Sequence, residues 1–140
     1  MITVMPIIAT DHIDEVRAYY TEKLGFREDL VMRGPDGKIN TLMVTSPAGA
    51  TLMFGPPEGT SALNPDGLML FITSEGVDAY HDQVTARGVD IAEGLTDQFW
   101  GDRTFIVRDP WGLHLMFGQT VKEMDELPEG YQIETAQPVG

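Results

Sequence analysis

The chain contains itself twice. Pro47-Ala48-Gly49-Ala50-Thr51-Leu52-Met53-Phe54-Gly55 matches Pro110-Trp111-Gly112-Leu113-His114-Leu115-Met116-Phe117-Gly118 at six of nine positions, with an offset of 63. The same offset lays Thr10 on Thr73, Gly25 on Gly88, and the apolar run Val4–Ile8 on Gly67–Phe71. A chain of 140 residues built this way is two half-domains, neither large enough to hold a core alone, so the halves must share one. The repeat divides it into module one (1–55), a Pro/Gly-rich linker (56–66), module two (67–118) and an acidic tail (119–140).

Each module reads in the same order. Ile2–Ala9 is short, apolar and β-branched, and so predicts a strand. Asp11 is the expected N-cap of a helix burying Ile13, Val16, Tyr20 and Leu24, which Gly25 stops. Three strands follow, at Phe26–Arg33, Ile39–Ser46 and Ala50–Gly55, separated by Pro/Gly turns. Module two predicts a strand at Leu68–Thr73 and a helix at Glu75–Arg87 that buries Val77, Tyr80 and Val84 and ends at Gly88. Its later strands are expected at Val89–Glu93, Asp102–Arg108 and Leu113–Gly118. The fold class is therefore α+β: two tandem βαβββ modules whose curved sheets surround a cleft.

Composition excludes several functions. Nine Lys+Arg against 22 Asp+Glu give a net charge of -13, with no basic stripe for nucleic acid or an anionic membrane. With no cysteine there is no disulfide framework, redox pair or thiolate zinc site, and three histidines are few for a metalloenzyme. No apolar run approaches membrane-spanning length, and the N-terminal stretch lacks the basic region of a signal peptide, so a cytoplasmic location is expected.

The duplicated βαβββ pattern resembles the vicinal oxygen chelate superfamily, which includes glyoxalase I, extradiol dioxygenases, fosfomycin-modifying enzymes and bleomycin-resistance proteins. The resemblance spans residues 1–120. It rests on the repeat, on Tyr19-Tyr20-Thr21-Glu22-Lys23-Leu24-Gly25-Phe26, and on Trp100-Gly101-Asp102-Arg103 with Arg108-Asp109-Pro110-Trp111-Gly112. The last stretch is most similar to the small bacterial glyoxalase/bleomycin-resistance-like proteins.

That resemblance implies four metal-ligand positions, two per module, usually His on the first strand and Glu on the last. They map onto Met5, Met53, Leu68 and Met116. None of these residues carries the imidazole or carboxylate that a hard divalent ion needs, so no metal cofactor is expected. Thioethers suit Cu(I), but methionine is more often a flexible apolar filler of adaptable pockets.

Strand alternation puts Thr51 on the face of Met53 and His114 on the face of Met116, with Leu52, Phe54, Leu115 and Phe117 beneath the helices. His114 is a candidate base or ligand anchor, weighed against an ordinary strand histidine; His12 and His81 read as surface residues. Phe99, Trp100 and Trp111 form an aromatic cluster suited to planar or cationic ligands, or to capping the core. Arg103 is expected to pair with Asp97 or Asp102, or to touch ligand.

The candidate binding residues are thus Met5, Thr51, Met53, Leu68, Phe99, Trp100, Arg103, His114 and Met116. They describe a metal-independent protein that binds a small, cationic or aromatic molecule, as drug-sequestering antibiotic-resistance proteins do. The alternative is a lyase, isomerase or dioxygenase, either metal-dependent through misaligned ligands or metal-free through His114 with Arg103. A homodimer is expected, because relatives complete their clefts from a second subunit. The tail is read either as a short helix over Val121–Leu127 that latches onto the body or a partner, or as a frayed end.

Overall fold

The computed structural model describes residues 4–57, 67–124 and 126–136. Most of the linker lies outside the described residues. Module one runs β1 (Ile7–Ala9), α1 (Ile13–Ala18), a π turn (Tyr19–Lys23), β2 (Arg27–Arg33), β3 (Ile39–Thr45) and β4 (Thr51–Gly55). Module two runs β5 (Met69–Thr73), α2 (Val77–Ala86), β6 (Ile91–Asp97), β7 (Asp102–Arg108) and β8 (His114–Thr120). Each module makes one four-stranded sheet, ordered β1-β4-β3-β2 and β5-β8-β7-β6, in which the first strand lies parallel to the last.

The end of each module is built alike. Ser46 and Asp109 each donate a backbone N–H four residues on, to the carbonyls of Ala50 and Leu113. Their side chains accept in return from the N–H groups of the same residues. Gly49 and Gly112 take the positive φ that these turns need (106° and 93°).

The start of the modules departs from the expected alignment by one residue. Thr10 donates its N–H to the Gly55 carbonyl at 2.9 Å, and the group that does the same to Gly118 is Ser74 at 2.7 Å, not Thr73. Ile7 lies beside Met53 and Phe71 beside Met116. The extra residue of module one sits in the π turn, where Leu24 N–H reaches back five residues to the Tyr19 carbonyl. The helix of module two ends with Val89 N–H on the Val84 carbonyl, whereas that of module one ends with Phe26 N–H on the Tyr20 carbonyl, one residue farther. A single wide turn is how an α-helix absorbs an insertion without losing its flanking faces.

Helical spacing predicts the core: Val16, Tyr20 and Leu24 from module one join Val77, Tyr80 and Val84 from module two, while Ile13, also expected inside, is only partly buried against it. Phe26 meets Phe117 at 6.3 Å across the junction. Two phenols tie the halves together: Tyr20 donates to Asp109 Oδ2 at 2.7 Å, and Tyr80 to the Leu24 carbonyl at 2.6 Å. Burial, then the Asp109 charge, raises the Tyr20 pKa well above its ordinary value, so the phenol stays a donor.

Other expectations are corrected. The first strand is only Ile7–Ala9, and residues 1–3 lie outside the described part. The residue before α1 is His12 rather than Asp11, and Thr10 Oγ1 accepts its N–H at 2.9 Å. The strand expected at Val89–Glu93 is Ile91–Asp97, with two register shifts against β7. His81 is half-buried, its ring edge-on to Phe105 at 5.2 Å. No helix is found in the described part of the tail.

Candidate functional site

One face of each sheet is covered by the helices and the other is open. Register assigns the open face. In module one a continuous row runs Leu30, Met43, Met53, Ile7 across all four strands. Ile7 is 60% exposed and Leu30 39%. Beside this row lies a polar chain: Arg27 Nε donates to Asp29 at 2.9 Å, Thr45 donates to the other Asp29 oxygen, and Thr45 meets Thr51 at 2.9 Å. The hydroxyl of Thr45, then the Arg27 guanidinium, holds the Asp29 carboxyl below the usual carboxylate range. Sequence reasoning missed Asp29, which a register shift in β2 brings over Thr45.

In module two the corresponding row is Phe71, Met116, Ile106, Glu93. One level away, His114 stands between Met69 and Arg108, half-buried and without a side-chain hydrogen bond among the described residues. The Phe71 ring lies down over Gly118: a Cβ there would come within 2.5 Å of Phe71 Cζ and 3.2 Å of Thr104 Cγ2. Glycine makes the bed for the ring.

Of the expected residues, Thr51, Met53, His114 and Met116 take the open faces, and Met5, two residues ahead of Ile7, is exposed. Leu68 does not. The inserted residue slips the alignment, so Leu68 packs against the core and Met69 stands where it was expected. Arg103 alternates with Thr104 and Ile106 and so leaves the helix-covered face of β7, opposite to His114. It pairs with Asp97 at 2.6 Å, as expected, and with Asp78 of α2 at 3.0 Å, while Asp102 instead accepts from Thr120. His114 and Arg103 therefore cannot act on one substrate from one side of the sheet.

Phe99 and Trp100 occupy the β6–β7 turn in edge-to-face contact at 5.3 Å. Trp111 does not join them: it lies at the other end of β7, half-buried, against Tyr19 at 6.0 Å and His12 at 6.5 Å. The phenol oxygen of Tyr19 beside it is buried without a hydrogen-bond partner among the described residues.

The residues present do not fit the hard divalent ion that the fold implies. Ile7 beside Met53 and Phe71 beside Met116 offer hydrocarbon and thioether, and among the described residues no three of His, Asp and Glu come together. A cavity of about 700 Å³ lies elsewhere, lined by Thr10, Asp11, Asp14, Lys38, Asn40 and Pro56 among others, and includes none of the expected residues.

Comparison with solved structures gives the fold independently. TioX from Micromonospora sp. ML1 superposes with a TM-score of 0.70 at 22% identity, covering 86% of this chain and 100% of that one. TnmS3, an antibiotic binding protein from Streptomyces sp. CB03234, gives 0.69 at 23% identity over 86% and 97% of the two chains. A glyoxalase-related enzyme from Clostridium phytofermentans gives 0.66 at 21% over 86% and 96%.

Uncharacterized proteins of Mycobacterium bovis and Mycobacterium tuberculosis are 35% identical over 104 residues, 67% of this chain. The matched stretch spans 68% of the first protein's length and 61% of the second's. Residues 3–117 match the glyoxalase/bleomycin resistance protein/dioxygenase superfamily as a family. The duplicated modules, their parallel first-to-last strand pairing and this match place the chain in the glyoxalase/bleomycin resistance protein/dioxygenase superfamily.

Proposed function

We propose that the chain is a metal-independent binding protein that holds a small aromatic or cationic molecule against the open faces of its two sheets, in the manner of drug-sequestering resistance proteins. The observation that carries this is the pairing at the heart of each sheet, Ile7 with Met53 and Phe71 with Met116. An adaptable apolar floor stands where catalysis by a bound divalent ion would need oxygen and nitrogen donors. The Thr45–Thr51 hydroxyls and His114 are the polar groups available to orient a ligand there. TnmS3, a protein of the same fold, is described as antibiotic-binding.

The exposure of Ile7 (60%), Phe71 (51%) and Met69 (47%) suits a homodimer in which a second copy covers the open faces. No helix among the described residues is long and apolar enough to cross a membrane, and the cysteine-free composition suits a cytoplasmic location.

The test combines metal analysis with a double substitution. Protein purified without chelator should carry well under one equivalent of Mn, Fe, Ni, Co or Zn. Met53→Glu with Met116→Glu should lower stability by about 2 kcal/mol and weaken apolar-ligand binding, because each carboxylate meets an apolar floor. Stoichiometric divalent metal in the wild type, or a double variant indistinguishable from it, overturns the reading.

The corrected register favours one second reading. With Met69 in place of Leu68, the aligned ligand positions are all methionine (Met5, Met53, Met69 and Met116), with Met69 beside His114 and one level from Met116, thioether and imidazole donors suited to the soft ion Cu(I). Saturable Cu(I) binding that these substitutions abolish would select it.

A further inference from the structure

The segment after β8 crosses the Phe99–Trp100 turn and is held there closely. Val121 and Lys122 both donate their N–H groups to the Gly101 carbonyl, at 2.9 and 3.2 Å. Gly101 has φ 103°, and a Cβ on it would run into the Lys122 carbonyl oxygen. Only glycine lets the strap lie so near the turn. Farther on the chain folds back, with Tyr131 N–H on the Pro128 carbonyl at 3.0 Å and Gly130 at φ 84°. This brings the Tyr131 ring to 6.1 Å from Phe99, inclined at 68°.

Three rings thus meet edge to face, Trp100 on Phe99 and Phe99 on Tyr131. Rings that merely seal a core are covered by it. These are 38% (Trp100), 40% (Phe99) and 66% (Tyr131) exposed, so each keeps ring surface that a ligand can reach. A ring face carries the negative lobe of the aromatic quadrupole and attracts cations. The surrounding field has the same sign: residues 119–140 hold five acids and one lysine, in a chain of net charge -13. The neighbouring guanidinium of Arg103 is already taken by Asp97 and Asp78.

The geometry points to Tyr131, delivered by the C-terminal strap, as the third wall of an aromatic site that takes a planar organic cation together with Phe99 and Trp100. The inference rests on the binding-protein reading and deepens it. The turn joins the open face of module two through Gln98, whose amide donates to Thr104 at 3.0 Å beside Gly118 and Phe71.

The test uses the full chain and two dyes, ethidium as a planar cation and 8-anilinonaphthalene-1-sulfonate as a planar anion. Ethidium anisotropy should show saturable binding, tighter than that of the anion and weakened by salt. Tyr131→Ala should weaken ethidium about fivefold, a loss in the range of one cation–π contact. Tyr131→Phe, which keeps the ring, should bind like the wild type. Because Tyr131 is mostly exposed, the melting temperature of both variants should stay near that of the wild type.

Equal ethidium affinity for wild type and Tyr131→Ala, preference for the anion, or no binding at all overturns the proposal. Met53→Glu, on the other module's sheet, separates it from the reading beneath it. If Met53→Glu abolishes ethidium binding and Tyr131→Ala leaves it unchanged, the open-face reading stands and the aromatic strap falls. The reverse result keeps the strap and sinks the open face.

Discussion

Module one and module two solve the same folding problem with unequal means. Their closing turns share the same backbone bonds, yet Ser46 in one is Asp109 in the other. The serine oxygen serves the Ala50 N–H at 2.9 Å, its one side-chain bond among the described residues. The aspartate serves Trp111 and Leu113 with one oxygen and reaches Tyr20 of the opposite module with the second. The helices differ in the complementary sense, since module one alone carries the wide turn at Tyr19–Lys23. Equivalent backbone does not mean equivalent duty: one copy of the turn finishes a sheet, and the other also fastens two halves together.

The largest expected effect breaks that fastening. Asp109→Ser, which writes module one's residue into module two, should cost about 3 kcal/mol, because the buried Tyr20 hydroxyl loses its acceptor and the turn loses a charged one. Ser46→Ala, the matching lesion in module one, should cost about 1 kcal/mol. Denaturant titration of the two variants checks the ranking. Equal losses would mean that the Tyr20 bond contributes nothing.

A second contrast lies on the open faces. At Gly118 an added methyl meets Phe71 and Thr104, whereas at Gly55 the nearest atom is the Asn40 carbonyl at 3.9 Å. Gly118→Ala should therefore lift the Phe71 ring and cost about 1 kcal/mol, and Gly55→Ala should cost less. If Phe71 forms the binding floor, Gly118→Ala should also weaken ligand more than Gly55→Ala does.

The smallest effect concerns the arginines that tie each helix to its sheet. Arg17 donates to Glu28 at 2.5 Å in module one, while Arg103 holds both Asp97 and Asp78 in module two. The arginine hydrogen bonds hold the carboxyls of Glu28 and Asp97 below their ordinary values of 4.5 and 3.8. A lowered folded pKa means that each pair's contribution is complete above those ordinary values and fades as pH falls through the lower, folded ones. Arg103→Gln should then raise the midpoint of acid unfolding more than Arg17→Gln does, with both shifts small because the pairs face solvent.

The repeat made the fold legible because both closing turns and both last strands keep the same spacing, and alternation there places Leu52, Phe54, Leu115 and Phe117 inside. Helical periodicity concealed the inserted residue. Tyr19 and Tyr20 are adjacent, both suit an apolar stripe, and a single wide turn leaves no gap in the pattern. From that one hidden residue came the misplacement of Leu68 for Met69. Arg103 shows a different limit: Asp97 is close in sequence and was found, but Asp78 is not, and only the packing of α2 on β7 brings it near. Tyr131 was missed for a similar reason, since nothing local to the tail points to Phe99.

The two phenol ties also make the halves unlike partners. At matching places in the repeat, Tyr20 stands opposite Val84 and Tyr80 opposite Val16, so each half supplies the tyrosine that its counterpart lacks. A chain made of module one twice would bury two copies of Tyr20 facing Ser46 in place of Asp109, and would have no Tyr80 to reach the Leu24 carbonyl. The two halves are mutually dependent. Neither half could be replaced by a second copy of the other without losing one of these two ties.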